Sequence, residues 1–154
     1  MRLKILGIGS PFGADRIGWE VVEALGARHP QSRYARGELR IGSYDRPGVG
    51  LLEQLRDCEE AWIVDALAGG RPGRLRWLSL EELGLARDSF STHGAGVAEA
   101  LALGEALSEP LPTIRLLAVE LGGQAGAELP PDSLQAAVEE LSTRLRERLG
   151  EPMS

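Results

Sequence analysis

Apolar residues are grouped along this chain into runs that are typical of buried strands and of half-exposed strands. Mainly apolar runs at 3–9 and 61–66 predict two fully buried strands. Alternating apolar and polar residues at 38–44 and 74–78 predict two further strands, the second of them at a sheet edge. A last apolar run at 114–121 completes a predicted set of about five core strands.

Between these strands, apolar residues recur three and four positions apart, which is the periodicity of an amphipathic helix. The pattern predicts helices at about 17–28, 49–57, 97–107 and 134–149. Strands that alternate with helices imply right-handed crossovers. We therefore expect an α/β fold, a three-layer sandwich with a twisted, mostly parallel sheet and helices on both faces.

The length of 154 residues is that of one domain with a sizeable core. We expect a single domain over residues 1–150 and a disordered tail at 151–154. The formal net charge of −6 argues against a general nucleic-acid or anionic-membrane binder.

Cysteine usage and hydropathy indicate the compartment. Cys58 is the only cysteine, so a disulfide within the chain and a zinc site built on paired cysteines are both excluded. Its acidic neighbours Asp57 and Glu59 raise a thiol pKa, so we expect an inert cysteine. With no secretory signal and no apolar run of about 20 residues, we expect a soluble, cytoplasmic protein.

The first strand ends on Gly7-x-Gly9, which allows a sharp turn and close approach of a ligand. A dinucleotide-binding loop needs a third glycine where this chain has Phe12. The acidic Asp15 also falls at the helix start, where it would repel a phosphate. Nucleotide binding is therefore disfavoured.

Three metal-competent side chains follow strand ends. Asp15 comes after the first strand, Asp65 ends the third and His93 follows the loop after the fourth. In an open parallel sheet, ligands bind outside the carboxyl ends of the strands, so we expect these residues to converge. Two carboxylates and an imidazole suit a divalent first-row metal with open coordination positions.

Other roles for the same residues remain open. Asp15 is as well suited to cap the first helix as to bind a metal. His93 is also compatible with an ordinary place near the start of a helix. A Ser/His/Asp hydrolase with Ser91 or Ser10 as nucleophile is the rival arrangement, but the chain contains no Gly-x-Ser-x-Gly elbow. The second histidine, His29, precedes a proline at a helix end and is expected on the surface.

Taken together, the motifs resemble the hydrogenase maturation proteases, the endopeptidases that finish the large subunit of nickel–iron hydrogenases. The resemblance covers nearly the whole chain. It is carried by the following segments: Ile5-Leu6-Gly7-Ile8-Gly9, Asp15-Arg16-Ile17-Gly18, Gly50-Leu51-Leu52-x-x-Leu55, Ile63-Val64-Asp65-Ala66, Pro72-Gly73 and Ser91-Thr92-His93.

The resemblance implies a twisted sheet between helix layers and three nickel-contacting residues, which fall on Asp15, Asp65 and His93. These residues would serve both as metal ligands and as the catalytic set. The implied partner is a nickel-loaded hydrogenase large-subunit precursor that loses a C-terminal extension. The nickel is supplied by the substrate, although cadmium or zinc could occupy the site in vitro. We expect a monomer that exposes its cleft to this partner.

The chain departs from the family pattern at two places in its first loop. Ser10 stands where the family usually has asparagine, and the loop is one residue shorter. Metal geometry or activity could therefore differ from that of the typical member. Two alternative functions also remain open: a non-proteolytic nickel-recognition or chaperone-like module, and a Rossmann-like small-molecule binder.

Overall fold

The computed structural model describes residues 2–9, 16–44, 49–67, 69–79, 81–82, 102, 104–108, 110–123 and 129–150. The elements of this part of the chain are β1 (Leu3–Ile8), α1 (Ile17–Arg28), a 3-10 turn (Gln31–Arg33), β2 (Leu39–Tyr44), α2 (Val49–Leu55), β3 (Glu60–Leu67), β4 (Leu75–Ser79), β5 (Thr113–Glu120) and α3 (Ser133–Leu149). All five predicted strands and three of the predicted helices are confirmed. The remaining helix, at 97–107, falls mostly outside the described residues, as does the tail at 151–154.

The five strands form one sheet in the order β2-β1-β3-β5-β4. The first four strands in this order are parallel, and β4 runs antiparallel to β5 at the edge. The central strands β1 and β3 are buried along their whole length, whereas β4 alternates between exposed and less exposed positions. The mostly parallel sheet and the edge position of β4 are as predicted.

Helices cover both faces of the sheet. Residues of α1 and α3 form one core with side chains of β1, β3 and β5, such as Ile5, Val64 and Leu117. Residues of α2 form a second core on the opposite face, with side chains such as Leu6 and Ile63. The chain therefore has the predicted α/β fold of three layers, because alternate residues of each central strand face different helices.

His29 departs from its predicted place on the surface. It follows α1 and is only 3% exposed. Its Nδ1 lies 3.0 Å from the Tyr34 hydroxyl and its Nε2 lies 3.0 Å from Oγ of Ser142 on α3. The prediction was wrong because Pro30 signals only that the helix ends, whereas burial is decided by a helix more than a hundred residues later in the chain.

In the described part of the chain, no helix is long and apolar enough to cross a membrane.

Candidate functional site

Asp65 lies near the carboxyl end of β3, the central strand of the sheet. Its side chain is 1% exposed, and its Oδ1 accepts a hydrogen bond of 2.8 Å from the Ala66 N–H. The sheet order changes direction between β1 and β3, since β2 lies on one side of β1 and β3 on the other. In open α/β sheets, this switch point is where ligands bind. Asp65 is therefore placed where a functional carboxylate is expected.

Two glycines bring the start of α1 directly against these strand ends. A Cβ on Gly18 would lie 2.2 Å from the Ile8 carbonyl oxygen and 2.8 Å from that of Val64, the residue before Asp65. A Cβ on Gly7 would lie 2.4 Å from the Gly18 carbonyl oxygen and 2.6 Å from Cγ2 of Val22. Backbone packs on backbone here, so only residues without a Cβ allow this approach. The first turn of α1 is thereby fixed beside the Asp65 end of β3.

The other residues of the predicted trio are not covered by the structure. Arg16 is the N-cap residue of α1, and Asp15, which precedes it in the sequence, lies outside the described residues, as does His93. Ser10 and Ser91 also lie outside them. Among the residues that the structure describes, no three His, Cys, Asp or Glu side chains are grouped as a metal site would require. The convergence of Asp15, Asp65 and His93 therefore stays a prediction.

A second buried carboxylate at this edge of the sheet, Glu120 at the carboxyl end of β5, was not predicted from the sequence. Glu120 is fully buried, and its Oε1 lies 2.7 Å from both Nε and Nη2 of Arg74. Its Oε2 accepts a hydrogen bond of 2.7 Å from the Arg71 N–H. The signal was a charged residue at the end of an apolar strand, which is the same signal that selected Asp65.

These contacts determine the ionisation of Glu120 and its role. Burial alone raises the pKa of its carboxyl group, but the hydrogen bonds from Arg74 and from the Arg71 N–H, with the charges of Arg74 and Arg76, hold this pKa below the ordinary 4.5. Gly70, at φ +68°, passes so close to Glu120 that a Cβ there would overlap the carboxylate. Glu120 therefore holds the β3–β4 turn against the carboxyl edge of the sheet.

On the β2 side of the sheet, hydrogen bonds join α1, β2 and α2. Trp19 Nε1 donates to the Tyr44 carbonyl at 2.8 Å, and the Tyr44 hydroxyl donates to Gln54 Oε1 at 2.8 Å. The buried Lys4 ammonium donates to the Gln54 carbonyl oxygen.

The ionisation of Cys58 agrees with the expected inert cysteine. Burial raises the pKa of its thiol, the charge of Asp57 raises it further, and the charge of Lys4 lowers it.

No protein-family model and no curated protein matches the chain. Solved structures do match along nearly its whole length. The hydrogenase maturating endopeptidase HybD from E. coli is 26% identical, with 96% of this chain and 94% of that chain covered and a TM-score of 0.72. A solution structure of an endopeptidase from Escherichia coli gives 25% identity, the same coverage of 96% and 94%, and a TM-score of 0.72.

An archaeal structure shares the fold at lower identity. The NiFe hydrogenase maturation protease HybD from Thermococcus kodakarensis is 20% identical and has a TM-score of 0.67, with 98% of this chain and 100% of that chain covered. Shared architecture along nearly every residue, together with a quarter of positions identical to the E. coli proteins, agrees with the motifs found in the sequence. The chain is therefore similar, over nearly its whole length, to solved hydrogenase maturation endopeptidases.

Proposed function

We propose that this chain is an endopeptidase that removes a C-terminal extension from the precursor of a nickel–iron hydrogenase large subunit after nickel insertion. The observation that carries the proposal is the position of Asp65, a buried carboxylate at the switch point of a sheet that is similar to that of a hydrogenase maturating endopeptidase over 96% of this chain. The nickel is part of the substrate, and recognition of this nickel restricts cleavage to precursors that already contain the metal.

The burial of Asp65 suits a role in binding a cation. A carboxylate that is 1% exposed has lost most of its hydration, and a positively charged partner offsets that cost. We propose that Asp65 acts together with Asp15 and His93 as ligands to the nickel of the docked precursor. Oxygen and nitrogen donors from this chain would add to thiolates from the precursor, a combination that suits nickel better than carboxylates alone.

In the proposed mechanism, this docking holds the scissile peptide in the cleft beside the carboxyl ends of β1 and β3. A water molecule adds to the peptide carbonyl, and the C–N bond breaks as the leaving amine takes up a proton. Asp65 or Asp15 serves as the base that accepts the proton from water, or the metal polarises the carbonyl while both carboxylates position it. The close packing of Gly7 and Gly18 keeps the first turn of α1 in register with Asp65.

The experiment is the intact mass of a large-subunit precursor after incubation with this protein, with the precursor either nickel-loaded or nickel-free. We expect loss of one defined C-terminal peptide from the loaded form alone. Asp65→Asn keeps the size of the side chain and removes its charge, so processing should fall by at least about 100-fold. Asp57→Asn is the matched control, because Asp57 is exposed and lies after α2.

Two results would contradict the proposal. Equal cleavage of loaded and nickel-free precursor would remove the role of nickel, and full activity of Asp65→Asn would remove the role of this carboxylate. The variants Asp15→Asn and His93→Ala test the remaining residues in the same assay. A nickel-dependent complex with the precursor that never leads to cleavage would assign the chain to non-proteolytic nickel recognition instead.

A further inference from the structure

A further site lies near the amino-terminal ends of the parallel strands, at the other end of the sheet from Asp65. It is a cavity of about 320 Å³ between the amino-terminal half of β3, the strands β4 and β5, and the last turns of α3. We call it the Trp–Arg pocket; it is lined by Glu60, Trp62, Trp77, Arg115, Arg144, Glu147 and Arg148. Its volume falls within the range of roughly 300–1,000 Å³ that small-molecule sites occupy.

The Trp–Arg pocket is separate from the proposed catalytic site. The Trp62 side chain lies in the core beneath α1 and α3. Ala61 and Ile63 lie in the core beneath α2. Because side chains alternate along a strand, Asp65 faces the same side of the sheet as Ile63. Glu60 begins β3 and Asp65 lies five residues further along it, a distance of about 16 Å at the rise of an extended strand. A ligand in the pocket would therefore leave the carboxyl edge of the sheet open.

The two tryptophans that line the pocket are each in contact with neighbouring side chains. The Trp62 and Trp77 rings meet edge to face, with centroids 5.8 Å apart and planes at 75°. Trp77 Nε1 donates to Glu140 Oε1 at 2.8 Å, and the Arg144 guanidinium carbon lies 5.4 Å from the centroid of the Trp77 ring. Trp62 is only 3% exposed, so the half-buried Trp77 ring supplies most of the apolar surface that a ligand can reach in the pocket.

One charged pair in the pocket is already neutralised internally. The Glu60 carboxylate is 5% exposed and accepts hydrogen bonds from Arg148 Nη2 at 2.7 Å and from Trp62 Nε1 at 2.7 Å. Arg144 is likewise committed, since its Nε lies 3.2 Å from Glu140 Oε1. Neither Glu60 nor these two guanidiniums therefore leaves a full charge to be met by a ligand.

Arg115 differs from Arg144 and Arg148 in its charge pairing. It stands on β5 in register with Trp62 on β3 and Ser79 on β4, on the face of the sheet that bears both indoles. The structure records no ion pair between Arg115 and any other residue that it describes. A cation that faces an aromatic-walled cavity without a carboxylate partner is suited to bind an anionic group.

We propose that the Trp–Arg pocket binds a small organic carboxylate with an apolar, planar body. The carboxylate would accept hydrogen bonds from the Arg115 guanidinium, and the body would pack on the accessible part of the Trp77 indole, beside the buried Trp62. A monoanion is favoured over a dianionic phosphate because only one guanidinium is uncommitted and the Glu147 carboxylate adds negative charge to the lining. This site is independent of the proposed protease activity.

The test is a titration of the folded protein with N-acetylphenylalanine, followed by the indole Nε1–H signals in a nitrogen–proton correlation spectrum. The neutral N-acetylphenylalaninamide is the matched ligand. We expect the carboxylate to shift the signals of Trp62 and Trp77 with saturation below about 10 mM, and the amide to bind at least about tenfold more weakly. The Trp19 signal should not move, because Trp19 bonds to Tyr44 at the other end of the sheet.

Two variants with opposite expected effects make the test sharper. Arg115→Gln should weaken binding of the carboxylate by about tenfold and leave the amide unaffected, whereas Glu147→Gln should strengthen binding of the carboxylate. Arg40→Gln is the control for Arg115→Gln, because Arg40 is also an exposed arginine on a strand, at the far side of the sheet. Circular dichroism establishes that each variant is folded.

Four results would overturn the proposal. They are the absence of saturable shifts, equal binding of acid and amide, unchanged binding by Arg115→Gln, and displacement of the ligand by inorganic phosphate at a lower concentration than by acetate. The last result would assign the pocket to phosphate rather than carboxylate.

Discussion

Replacement of Gly18 by alanine tests the packing that holds α1 against the proposed site. The new methyl carbon would lie 2.2 Å from the Ile8 carbonyl oxygen and 2.8 Å from that of Val64. Both obstacles are backbone atoms of buried central strands, so no side chain can rotate to make room. Restoring a van der Waals separation of about 3.5 Å requires the first turn of α1 to move by more than about 1 Å.

The energetic effect combines two opposing contributions. Forcing an extra carbon into a packed interior costs about 1–3 kcal/mol, and often more where backbone must move. Replacing glycine by alanine within a helix returns up to about 1 kcal/mol. We expect a net loss near 2 kcal/mol, which lowers the Tm of a chain of this size by about 4–8 °C.

The effect on processing should exceed the effect on stability. A displacement of about 1 Å in the groups that position a reaction is enough to lower its rate on the order of 100-fold. We therefore expect Gly18→Ala to process a nickel-loaded precursor about 100-fold more slowly at a temperature where the variant is fully folded. Thermal unfolding and the rate of peptide release, measured on the same preparation, separate the two effects.

The matched control lies in the same helix. A Cβ on Gly26 would meet only Ile41 Cγ2, at an ordinary contact distance of 3.9 Å. Gly26→Ala should therefore leave processing unchanged and raise stability by up to about 1 kcal/mol through helix propensity alone. If Gly18→Ala matched Gly26→Ala in both Tm and processing rate, the close approach of α1 to β1 and β3 would have no functional importance.

Three further predictions concern the buried polar groups. Glu120→Gln removes the charge that accepts hydrogen bonds from Arg74, and we expect a loss of about 2 kcal/mol in the free energy of unfolding by urea at pH 7. Because the folded state lowers the pKa of Glu120, its contribution to stability is fully present above about pH 4.5 and is lost as the pH falls through that lowered pKa. Urea unfolding between pH 7 and pH 3 should show a steeper acid loss for the wild type than for Glu120→Gln, and parallel curves would contradict this assignment. His29→Ala leaves the buried hydroxyls of Tyr34 and Ser142 without their imidazole partner and should lower the Tm by about 4–8 °C, on the basis of roughly 2 kcal/mol, while the exposed Thr143→Ala should not change it.

The strands and helices of the described chain were predictable because their signals are local and strong. The apolar run that contains Asp65 is long enough only for a strand, and the repeat of apolar residues in α3 extends over four turns. The order of the strands in the sheet was harder to predict from the sequence. The pairing of β3 with β5 joins segments separated by a whole β4 unit, and no local pattern distinguishes this order from others.

The pairing of polar groups was the least predictable feature, because it is decided by residues that are distant in the chain. Glu120 meets Arg74 across 46 positions, and Glu60 meets Arg148 across 88. Burial of His29 depends in the same way on Ser142, 113 positions away. Sequence patterns identified Asp65 correctly as a buried strand-end carboxylate, but they gave no means to find the Trp–Arg pocket, whose walls come from four different elements.

The glycines of the first strand and helix illustrate how one sequence signal can have two physical causes. A Gly-x-Gly at a strand end suggests close approach of a ligand, and that is how Gly7 was interpreted from the sequence. In the structure, the atoms that require a glycine at position 7 belong to Gly18 and Val22 of the chain itself. The two glycines therefore act as a pair: each removes the side chain that would separate α1 from the strands, and together they set the distance between the start of α1 and Asp65. A bulky residue at either position should consequently impair the same step, the alignment of the α1 end with the carboxylate of β3, rather than the affinity for a nucleotide.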